Sequence, residues 1–207
     1  MDNLIDISLI IPCHNLEPYI KPLLYSFSLL NLENINAEFI FVLDDCTDDT
    51  FGQICKYMDD KLSYKILSCK HHCCGFSRNE GLKVAQGKYI WFVDGDDWII
   101  YPNALQDMLK LLQDTGKEIC QLHYISNYFT IFSPVMVWQY IYTKNIIGDT
   151  RFTNIQPHED VVFNKEIFAK LPKGEEIIHY NIPTYFYNYQ RPGSNTKQFI
   201  ETGKIIP

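Results

Sequence analysis

The chain has 207 residues, of which 46% are hydrophobic and 21% are charged, and its formal net charge is −7. These values are typical of a globular domain and exclude a disordered or fibrous chain. Because affinity for the phosphate backbone comes from neutralising phosphates, the acidic balance also argues against a nucleic-acid binder. The seven scattered cysteines indicate reduced thiols and a cytoplasmic location. No basic secretory region and no stretch of about 20 apolar residues is present, so we expect a soluble chain without an integral membrane segment.

Strands and helices alternate along the first part of the chain. Short apolar runs predict strands at 5–11, 39–43, 64–67 and 89–93. Helical spacing and capping residues predict helices at 16–30, from about Thr47, at 77–87 and from Pro102 to Gly116. Ser77 and Glu80 match a capping box that would begin the third helix. This order predicts an α/β architecture, a mostly parallel sheet with helices on both faces and a ligand site at the carboxyl ends of the strands.

The alternation ends after about residue 118. A strand is predicted at 119–125, an aromatic stretch follows at 128–142, and a helix and a strand are predicted at 161–169 and 185–189. No repeat, low-complexity run or linker marks a second domain. We therefore expect one domain over residues 1–207 whose last third completes a single site, either alone or as one domain of a longer polypeptide.

The densest polar cluster, Asp94–Asp97, comes directly after the predicted strand at 89–93. Its three carboxylates repel one another unless a cation or hydrogen-bond donors lie among them. Magnesium or manganese with a bound phosphate suits such ligands, and a plain acidic turn with a helix cap is the alternative. Asp44 and Asp45 end a neighbouring strand, where they either accept the ring N–H of a pyrimidine base or form a turn. Pro12–Asn15 ends the first strand at the same edge.

Five motifs stand in order along the chain: Ser8–Asn15, Val42–Asp48, Gly75–Asp97, His158–Asp160 and Tyr185–Ser194. Together they resemble the motifs of family 2 glycosyltransferases of the GT-A fold. The second motif is one residue shorter than usual, and His14 stands where an aromatic residue is commoner. The resemblance implies a GT-A fold in which residues 1–117 bind a nucleotide sugar and residues 118–207 form a mixed part that binds the acceptor and carries the catalytic base. The overall resemblance also suggests a domain from a large DNA virus of the chlorovirus type, acting in the host cytoplasm.

The family resemblance implies an inverting transfer of a hexosyl or deoxyhexosyl group. The donor would be a uridine or deoxythymidine diphosphate sugar, the acceptor a hydroxyl of a glycan or glycoprotein, and the cofactor Mn²⁺ or Mg²⁺. Carried over by position, the donor-site residues are Pro12, Asn15, Glu17, Asp44, Asp45, Arg78, Asp94, Gly95, Asp96, Arg191 and Ser194, with Asp96 and Asp94 at the metal. Asp160, with Glu159 next, is implied as the catalytic base. Weaker acceptor contacts are expected from Asp97, Trp138 and His158.

Two other functions are compatible with the same residues. A strand followed by Asp-x-Asp is also the nucleophile motif of haloacid-dehalogenase-like phosphatases. That motif has Thr or Val two residues after the second Asp, where this chain has Trp98, and it normally lies near the N-terminus. The other function is a non-catalytic nucleotide or sugar binder, which the intact Asp96 and Asp160 disfavour.

Two further clusters have more than one interpretation. The aromatic residues form either a platform for the acceptor sugar or part of the core, and they are Tyr124, Tyr128, Phe129, Phe132, Trp138, Tyr140 and Tyr142. Cys69–Cys74 is rich in Cys and His, but its spacing fits no common zinc pattern. We therefore favour thiols and imidazoles that line the donor loop.

Overall fold

The four strands predicted for the first part of the chain are present and run parallel. In the computed structural model, which describes residues 4–127, 136–155, 158–189, 191, 192, 194, 197 and 201, they are β1 (Ile7–Cys13), β2 (Ala37–Asp44), β3 (Ser63–Cys69) and β4 (Tyr89–Phe92). They lie side by side in the order β3-β2-β1-β4. Since neighbouring parallel strands point the same way, the polar residues that follow β1, β2 and β4 meet at one edge of the sheet.

Helices cover both faces of these strands, as predicted. The helices are α1 (Lys21–Ser28), α2 (Thr50–Tyr57), α3 (Cys74–Val84), α4 (Ala104–Thr115), α5 (Lys144–Ile147) and α6 (Glu159–Phe168). Successive strand residues point to opposite faces. Leu9 and Trp91 therefore pack in one core with α1, α2 and α4, whereas Ile10 and Phe92 pack in a second core with α3, α5 and α6.

The later strands extend the sheet to eight strands of mixed direction. β5 (Trp98–Ile99), β6 (Ile119–Ser126), β7 (Tyr140–Thr143) and β8 (Ile178–Tyr187) complete the order β3-β2-β1-β4-β7-β6-β8-β5. β7 is antiparallel to both β4 and β6, β8 is parallel to β6, and β5 is antiparallel to β8. β5 and β7 were not predicted: β5 has only two residues, too few for a periodic signal, and β7 overlaps the end of the aromatic stretch, to which no secondary structure was assigned.

Two helices begin later than predicted. α1 begins at Lys21 instead of residue 16, because Pro18 and Pro22 lack the N–H that a helix interior needs; Pro22 is tolerated in the first turn. α2 begins at Thr50 instead of Thr47. The Asp48 carboxylate accepts hydrogen bonds from the Thr50 N–H (3.1 Å) and hydroxyl (2.6 Å), so Asp48 lies in a turn ahead of the helix and not in its first turn.

Two other helix ends bear on the site. α4 ends where predicted, at Gly116, whose φ of 67° is the left-handed conformation of a helix C-cap. α6 begins at Glu159, two residues before the predicted start, so Glu159 and Asp160 lie in its first turn, where the helix dipole favours acidic side chains. No helix in the described ranges is long and apolar enough to cross a membrane.

The described members of the aromatic stretch belong mainly to the core. Trp138 is 1% exposed, and its ring stacks on Tyr185 with centroids 4.8 Å apart and the planes 10° from parallel. Tyr140 and Tyr142 are buried as well, and the Trp91 Nε1–H donates to the Trp138 carbonyl oxygen (2.9 Å). The acceptor contact that we expected from Trp138 is therefore wrong, because no face of its ring is open to a sugar. Tyr128, Phe129 and Phe132 lie outside the described residues.

Replacing Trp138 with Ala tests this correction. Because the indole fills a stacked aromatic layer, we expect Trp138→Ala to lower the free energy of unfolding by about 3–5 kcal/mol. Urea denaturation followed by circular dichroism measures the change. Tyr25→Ala is the control, because Tyr25 is 64% exposed and its loss is expected to change stability by no more than about 0.5 kcal/mol. A Trp138→Ala protein of wild-type stability would restore the acceptor-platform interpretation.

Candidate active site

The loops that follow β1 and β2 are held together by side-chain hydrogen bonds. Asn15 Oδ1 accepts from the Thr47 N–H (2.8 Å), and Glu17 Oε2 accepts from the Asp49 N–H (3.0 Å). Asn15 has a φ of 49°, a left-handed conformation that Asn tolerates better than most residues. Both predicted donor-site side chains therefore lie at the expected edge of the sheet. They join the loops after β1 and β2, which together we call the rim.

Asp44 is a buried anchor for the segment that precedes α3. Its Oδ1 accepts from the N–H groups of His71 (2.6 Å) and His72 (3.0 Å). Its Oδ2 accepts from the Cys73 N–H (3.0 Å) and the Ser77 hydroxyl (2.8 Å). The capping box predicted at Ser77 is wrong: α3 begins at Cys74, three residues earlier, and the Ser77 hydroxyl donates to the Asp44 carboxylate instead of accepting from an N–H at a helix start.

The Asp44 carboxylate should also make stability depend on pH. Burial raises the pKa of Asp44, but hydrogen bonds from the N–H groups of His72, His71 and Cys73 outweigh that effect and hold it below the ordinary value of 3.8. A depressed pKa contributes stability that is present above the unfolded-state pKa of about 3.9 and is lost as the pH falls through the folded-state pKa.

We therefore expect Asp44→Asn to lower the free energy of unfolding by about 1–3 kcal/mol at pH 7. The difference in the free energy of unfolding between variant and wild type should become smaller below about pH 4, where the wild-type carboxylate takes up a proton. Urea denaturation at both pH values measures this. Asp45→Asn is the matched control, because its carboxylate is 33% exposed and should contribute little. A gap that does not change with pH would contradict the anchoring role.

Asp45, the next residue, faces the open edge. Its φ is 48°, and its carboxylate lies 3.2 Å from Lys70 Nζ and 3.5 Å from His72 Nε2. The exposed ring of His14 lies nearby, with its Nδ1–H donating to the Asp44 carbonyl oxygen (2.6 Å). Of the two acids that end β2, Asp45 is therefore the one whose side chain is accessible to a ligand.

The turn after β4 packs directly against the end of β1. A Cβ atom built on Gly95 would lie 2.3 Å from Leu16 Cδ1 and 3.3 Å from the Pro12 carbonyl oxygen. A side chain at Gly95 would therefore require the Leu16 side chain to move and would crowd the Pro12 carbonyl. Pro12 and Gly95, both predicted in the donor site, thus lie next to each other.

Asp97 is turned away from the edge and into the protein. It is 1% exposed, and it accepts hydrogen bonds from the Tyr185 hydroxyl (2.7 Å) and the Asn188 N–H (2.8 Å). Burial raises the pKa of Asp97, and Asp96 and Asp94 raise it further. The acceptor contact that we expected from Asp97 is therefore replaced by a supporting role, in which it ties the acidic turn to β8.

Asp96 forms an ion pair with Arg191. Arg191 Nε donates to Asp96 Oδ2, and the guanidinium lies over the Tyr19 ring, 4.5 Å from its centroid. The Ser194 N–H donates to the Arg191 carbonyl oxygen (3.1 Å), which keeps Ser194 within one turn of Arg191. Asp96, Arg191 and Ser194 were each predicted in the donor site; the structure pairs Asp96 with Arg191, and among the described contacts Ser194 bonds the chain on either side of it.

Arg78 joins the acidic turn to the acidic motif of α6. It is 3% exposed, with Nη2 donating to Asp94 Oδ1 and Nη1 donating to Asp160 Oδ1, both at 2.8 Å. Asp160 Oδ2 accepts from the Val137 N–H (3.1 Å), and Glu159 Oε1 lies 3.9 Å from Nη1. Sequence reasoning put Arg78 at the nucleotide, whereas its terminal nitrogens are already paired with two carboxylates.

The buried carboxylates around Arg78 have altered acidity. Burial raises the pKa of Asp94 to about 6, and Arg78 opposes the shift. Burial also raises the pKa of Asp160, again with Arg78 opposing it. A carboxylate with a raised pKa holds a proton more firmly, which suits a group that must receive one near neutral pH.

A protein-family model matches most of the chain, including most of the residues of this site. The model for glycosyl transferase family 2 matches residues 8–172, which include β1, the acidic turn and the acidic motif of α6. The chain belongs to this family. Membership removes the phosphatase alternative, whereas the viral source stays a prediction.

Relatives in the family are longer than this chain. Glycosyltransferase GlyA of Streptococcus pneumoniae is 28% identical over 173 residues, which cover 83% of this chain and 22% of GlyA. EpsH of Bacillus subtilis is 34% identical over 118 residues, or 55% of this chain and 33% of EpsH. The chain thus corresponds to a third or less of either relative.

Solved structures of other glycosyltransferases share the fold. Residues 1–349 of Staphylococcus aureus TarS, in complex with UDP-GlcNAc, superimpose with a TM-score of 0.82 at 22% identity, covering 93% of this chain and 61% of that one. The mannosyltransferase PcManGT of Pyrobaculum calidifontis, in complex with GDP-Man and Mn²⁺, gives 0.74 at 13% identity, with coverages of 94% and 60%. These matches confirm the predicted GT-A-type α/β fold.

The carboxylates of the acidic turn suit a divalent cation that also binds phosphate. Asp94 and Asp96 would offer carboxylate oxygens, the ligand type that Mg²⁺ and Mn²⁺ prefer. The described residues contain no group of three or more His, Cys, Asp or Glu side chains arranged to hold a metal. Mg²⁺ sites in phosphate-binding enzymes commonly use one or two carboxylates, with phosphate oxygens and water as the other ligands. The two carboxylates therefore fit an ion that is bound by this chain and by a diphosphate together.

The roles of three residues at the site were not predicted. The Tyr185 hydroxyl accepts from the Asp94 N–H (3.0 Å) as well as donating to Asp97. The Val137 N–H donates to Asp160, and the Tyr19 ring lies under the Arg191 guanidinium. Tyr185 lies in the motif Tyr185–Ser194, so the sequence indicated that it belongs to the site. A backbone N–H donor such as that of Val137 leaves no such mark in the sequence. His158 is exposed beside Glu159, and its acceptor contact stays a prediction.

Proposed function

We propose that this chain transfers a glycosyl group from a uridine diphosphate sugar to a hydroxyl of a glycan or glycoprotein in the cytoplasm. The carrying observation is that one guanidinium, Arg78, bonds both the donor-side Asp94 and the proposed base Asp160, each at 2.8 Å. A uridine donor is favoured because TarS, whose structures contain UDP and UDP-GlcNAc, is also 36% identical over 114 residues. A deoxythymidine donor is the nearest alternative.

The donor would lie across the ends of β1, β2 and β4. Asp45 is the acid available to accept the N–H of the base, since the oxygens of Asp44 are taken by the segment before α3. Asn15 and Glu17 would line the nucleotide side of the rim. Arg191 and Ser194 would cover the diphosphate and exclude water, which otherwise hydrolyses the donor.

Asp96, with Asp94 beside it, would hold Mn²⁺ or Mg²⁺ against the diphosphate. When bound, such an ion stabilises the negative charge that develops on the leaving diphosphate, without any proton transfer. Arg191 pairs with Asp96, and its guanidinium would offer the same diphosphate a second cation.

The transfer itself requires one base. The acceptor oxygen forms a bond to the anomeric carbon while the bond from that carbon to the diphosphate oxygen breaks, and the diphosphate leaves with the electron pair. The hydroxyl proton passes to the Asp160 carboxylate. Attack from the face opposite the leaving group makes the transfer inverting. Glu159, whose Oε2 lacks a hydrogen-bond partner among the described residues, is the second candidate for the base.

A transfer assay tests this proposal. The purified chain is incubated with Mn²⁺, uridine diphosphate sugars and a panel of p-nitrophenyl glycosides, and NMR identifies the product and its anomeric configuration. We expect acceptor-dependent release of uridine diphosphate and an inverted glycoside. Nucleotide binding without transfer to any acceptor would favour the non-catalytic binder instead.

A further inference from the structure

The position of Arg78 separates it from the donor surface. Its side chain is 3% exposed, and its guanidinium lies 5.4 Å from the centre of the Phe152 ring. Both terminal nitrogens already donate to buried or half-buried carboxylates. A contact with the nucleotide through these two N–H groups would require Arg78 to give up the ion pairs, which is costly for charges removed from water. Nε has no hydrogen-bond partner among the described residues, but it is buried as well.

The geometry of the pair fixes the orientation of the Asp160 carboxylate. Arg78 Nη1 holds Oδ1 at 2.8 Å and the Val137 N–H holds Oδ2 at 3.1 Å, so neither oxygen can rotate freely. Each carboxylate oxygen has a second lone pair, which remains for the proton of the acceptor. A planar guanidinium is suited to this task because its donors are fixed relative to one another.

The same guanidinium sets the distance between the two halves of the site. Asp94 follows β4 in the donor-side half, and Asp160 lies in the first turn of α6. Nη2 bonds the first carboxylate and Nη1 the second. An ammonium group is a single point charge on a flexible stem, so Lys at this position would retain the charge but not the fixed spacing.

We propose that Arg78 is a positioning residue for the transfer, which holds the Asp160 carboxylate in register with the donor-side Asp94. This inference rests on the proposed function, because it takes Asp160 as the base. The reacting atoms never touch Arg78; its effect on the rate comes through Asp160.

Arg78→Lys is the first variant, because it keeps a cation among Asp94, Glu159 and Asp160 and so protects folding. A misplacement of about 1 Å costs about 100-fold in rate, so we expect kcat to fall by about that factor while the donor KM changes little. The acid limb of the kcat profile should move to higher pH, since a less well placed cation stabilises the Asp160 carboxylate less. Arg151→Lys is the matched control, because Arg151 donates only to the carbonyls of Gly148 and Thr150 among the described contacts.

Chemical rescue separates positioning from structural support. In Arg78→Ala, millimolar guanidinium should restore kcat at least in part, whereas ammonium should not, because only guanidinium can reproduce the paired donors. Circular dichroism checks that Arg78→Ala folds; if it does not, Arg78→Lys alone decides. A raised donor KM with wild-type kcat would put Arg78 at the nucleotide and overturn the inference.

Asp160→Asn distinguishes failure of this inference from failure of the proposed function. If Asp160→Asn retains transfer, the base assignment is wrong and the role of Arg78 falls with it. If Asp160→Asn is inactive but Arg78→Lys keeps the wild-type kcat and pH profile, the base assignment stands and the positioning role is overturned.

Discussion

Asp160→Asn is expected to lower the rate of transfer by about 10²–10⁴-fold while binding of the uridine diphosphate sugar is unchanged. Asn has nearly the same shape as Asp, and its amide oxygen can still accept the hydrogen bond that Arg78 Nη1 makes to Oδ1, although its amide nitrogen replaces the Oδ2 that accepts from the Val137 N–H. The variant therefore keeps the link to Arg78 but lacks a group that takes up the acceptor proton. Release of uridine diphosphate measures kcat, and calorimetric titration measures donor affinity.

Glu159→Gln is the matched control for this experiment. Glu159 lies beside Asp160 in the first turn of α6, and its Oε1 is 3.9 Å from Arg78, a longer approach than the 2.8 Å of Asp160. We expect a smaller loss of rate than in Asp160→Asn. The reverse order, with Glu159→Gln inactive and Asp160→Asn active, would make Glu159 the base.

Asp96→Ala is expected to abolish metal-dependent donor binding. Asp96 is the acid of the turn that pairs with Arg191 at the edge of the sheet, whereas Asp97 is buried and Asp94 is tied to Arg78. Loss of a direct ligand should cost more than the 10–100-fold that outer-shell changes cost in metal affinity. The donor affinity in Mn²⁺ should then fall to the value measured with a chelator.

Calorimetric titration of wild type and Asp96→Ala, each with Mn²⁺ and with chelator, measures this effect. Asp114→Ala is the control, since Asp114 is an exposed acid of α4 that pairs only with Lys110 among the described contacts. Asp114→Ala changes the net charge by the same amount as Asp96→Ala and should leave donor binding intact. Equal donor affinity in wild type and Asp96→Ala would remove Asp96 from the metal site.

Local sequence signals predicted the donor half of the fold well. The runs that became β1, β2 and β4 are buried along their whole length, so their apolar composition alone marked them. Their ends could be placed at one edge because parallel strands share a direction. The acidic turn was predicted there for the same reason.

Long-range contacts explain what sequence reasoning missed. The segment just before α3 is held by Asp44, which accepts hydrogen bonds from N–H groups more than 25 residues away in the sequence. The place of Trp138 in the core depends on stacking with Tyr185, and a local aromatic pattern is the same for a core and for a sugar platform. Arg78 was assigned to the donor site from its position in the family motif, whereas its partners in the structure come from the acidic turn and from α6.

Titration of the purified chain with uridine, deoxythymidine and guanosine diphosphates and their sugars, with Mn²⁺ and with chelator, tests the central claim most directly. The predicted result is binding of a uridine diphosphate sugar that requires Mn²⁺ and disappears with chelator. Failure of every nucleotide to bind under either condition would contradict the proposal that the edge formed by β1, β2 and β4 is a donor site.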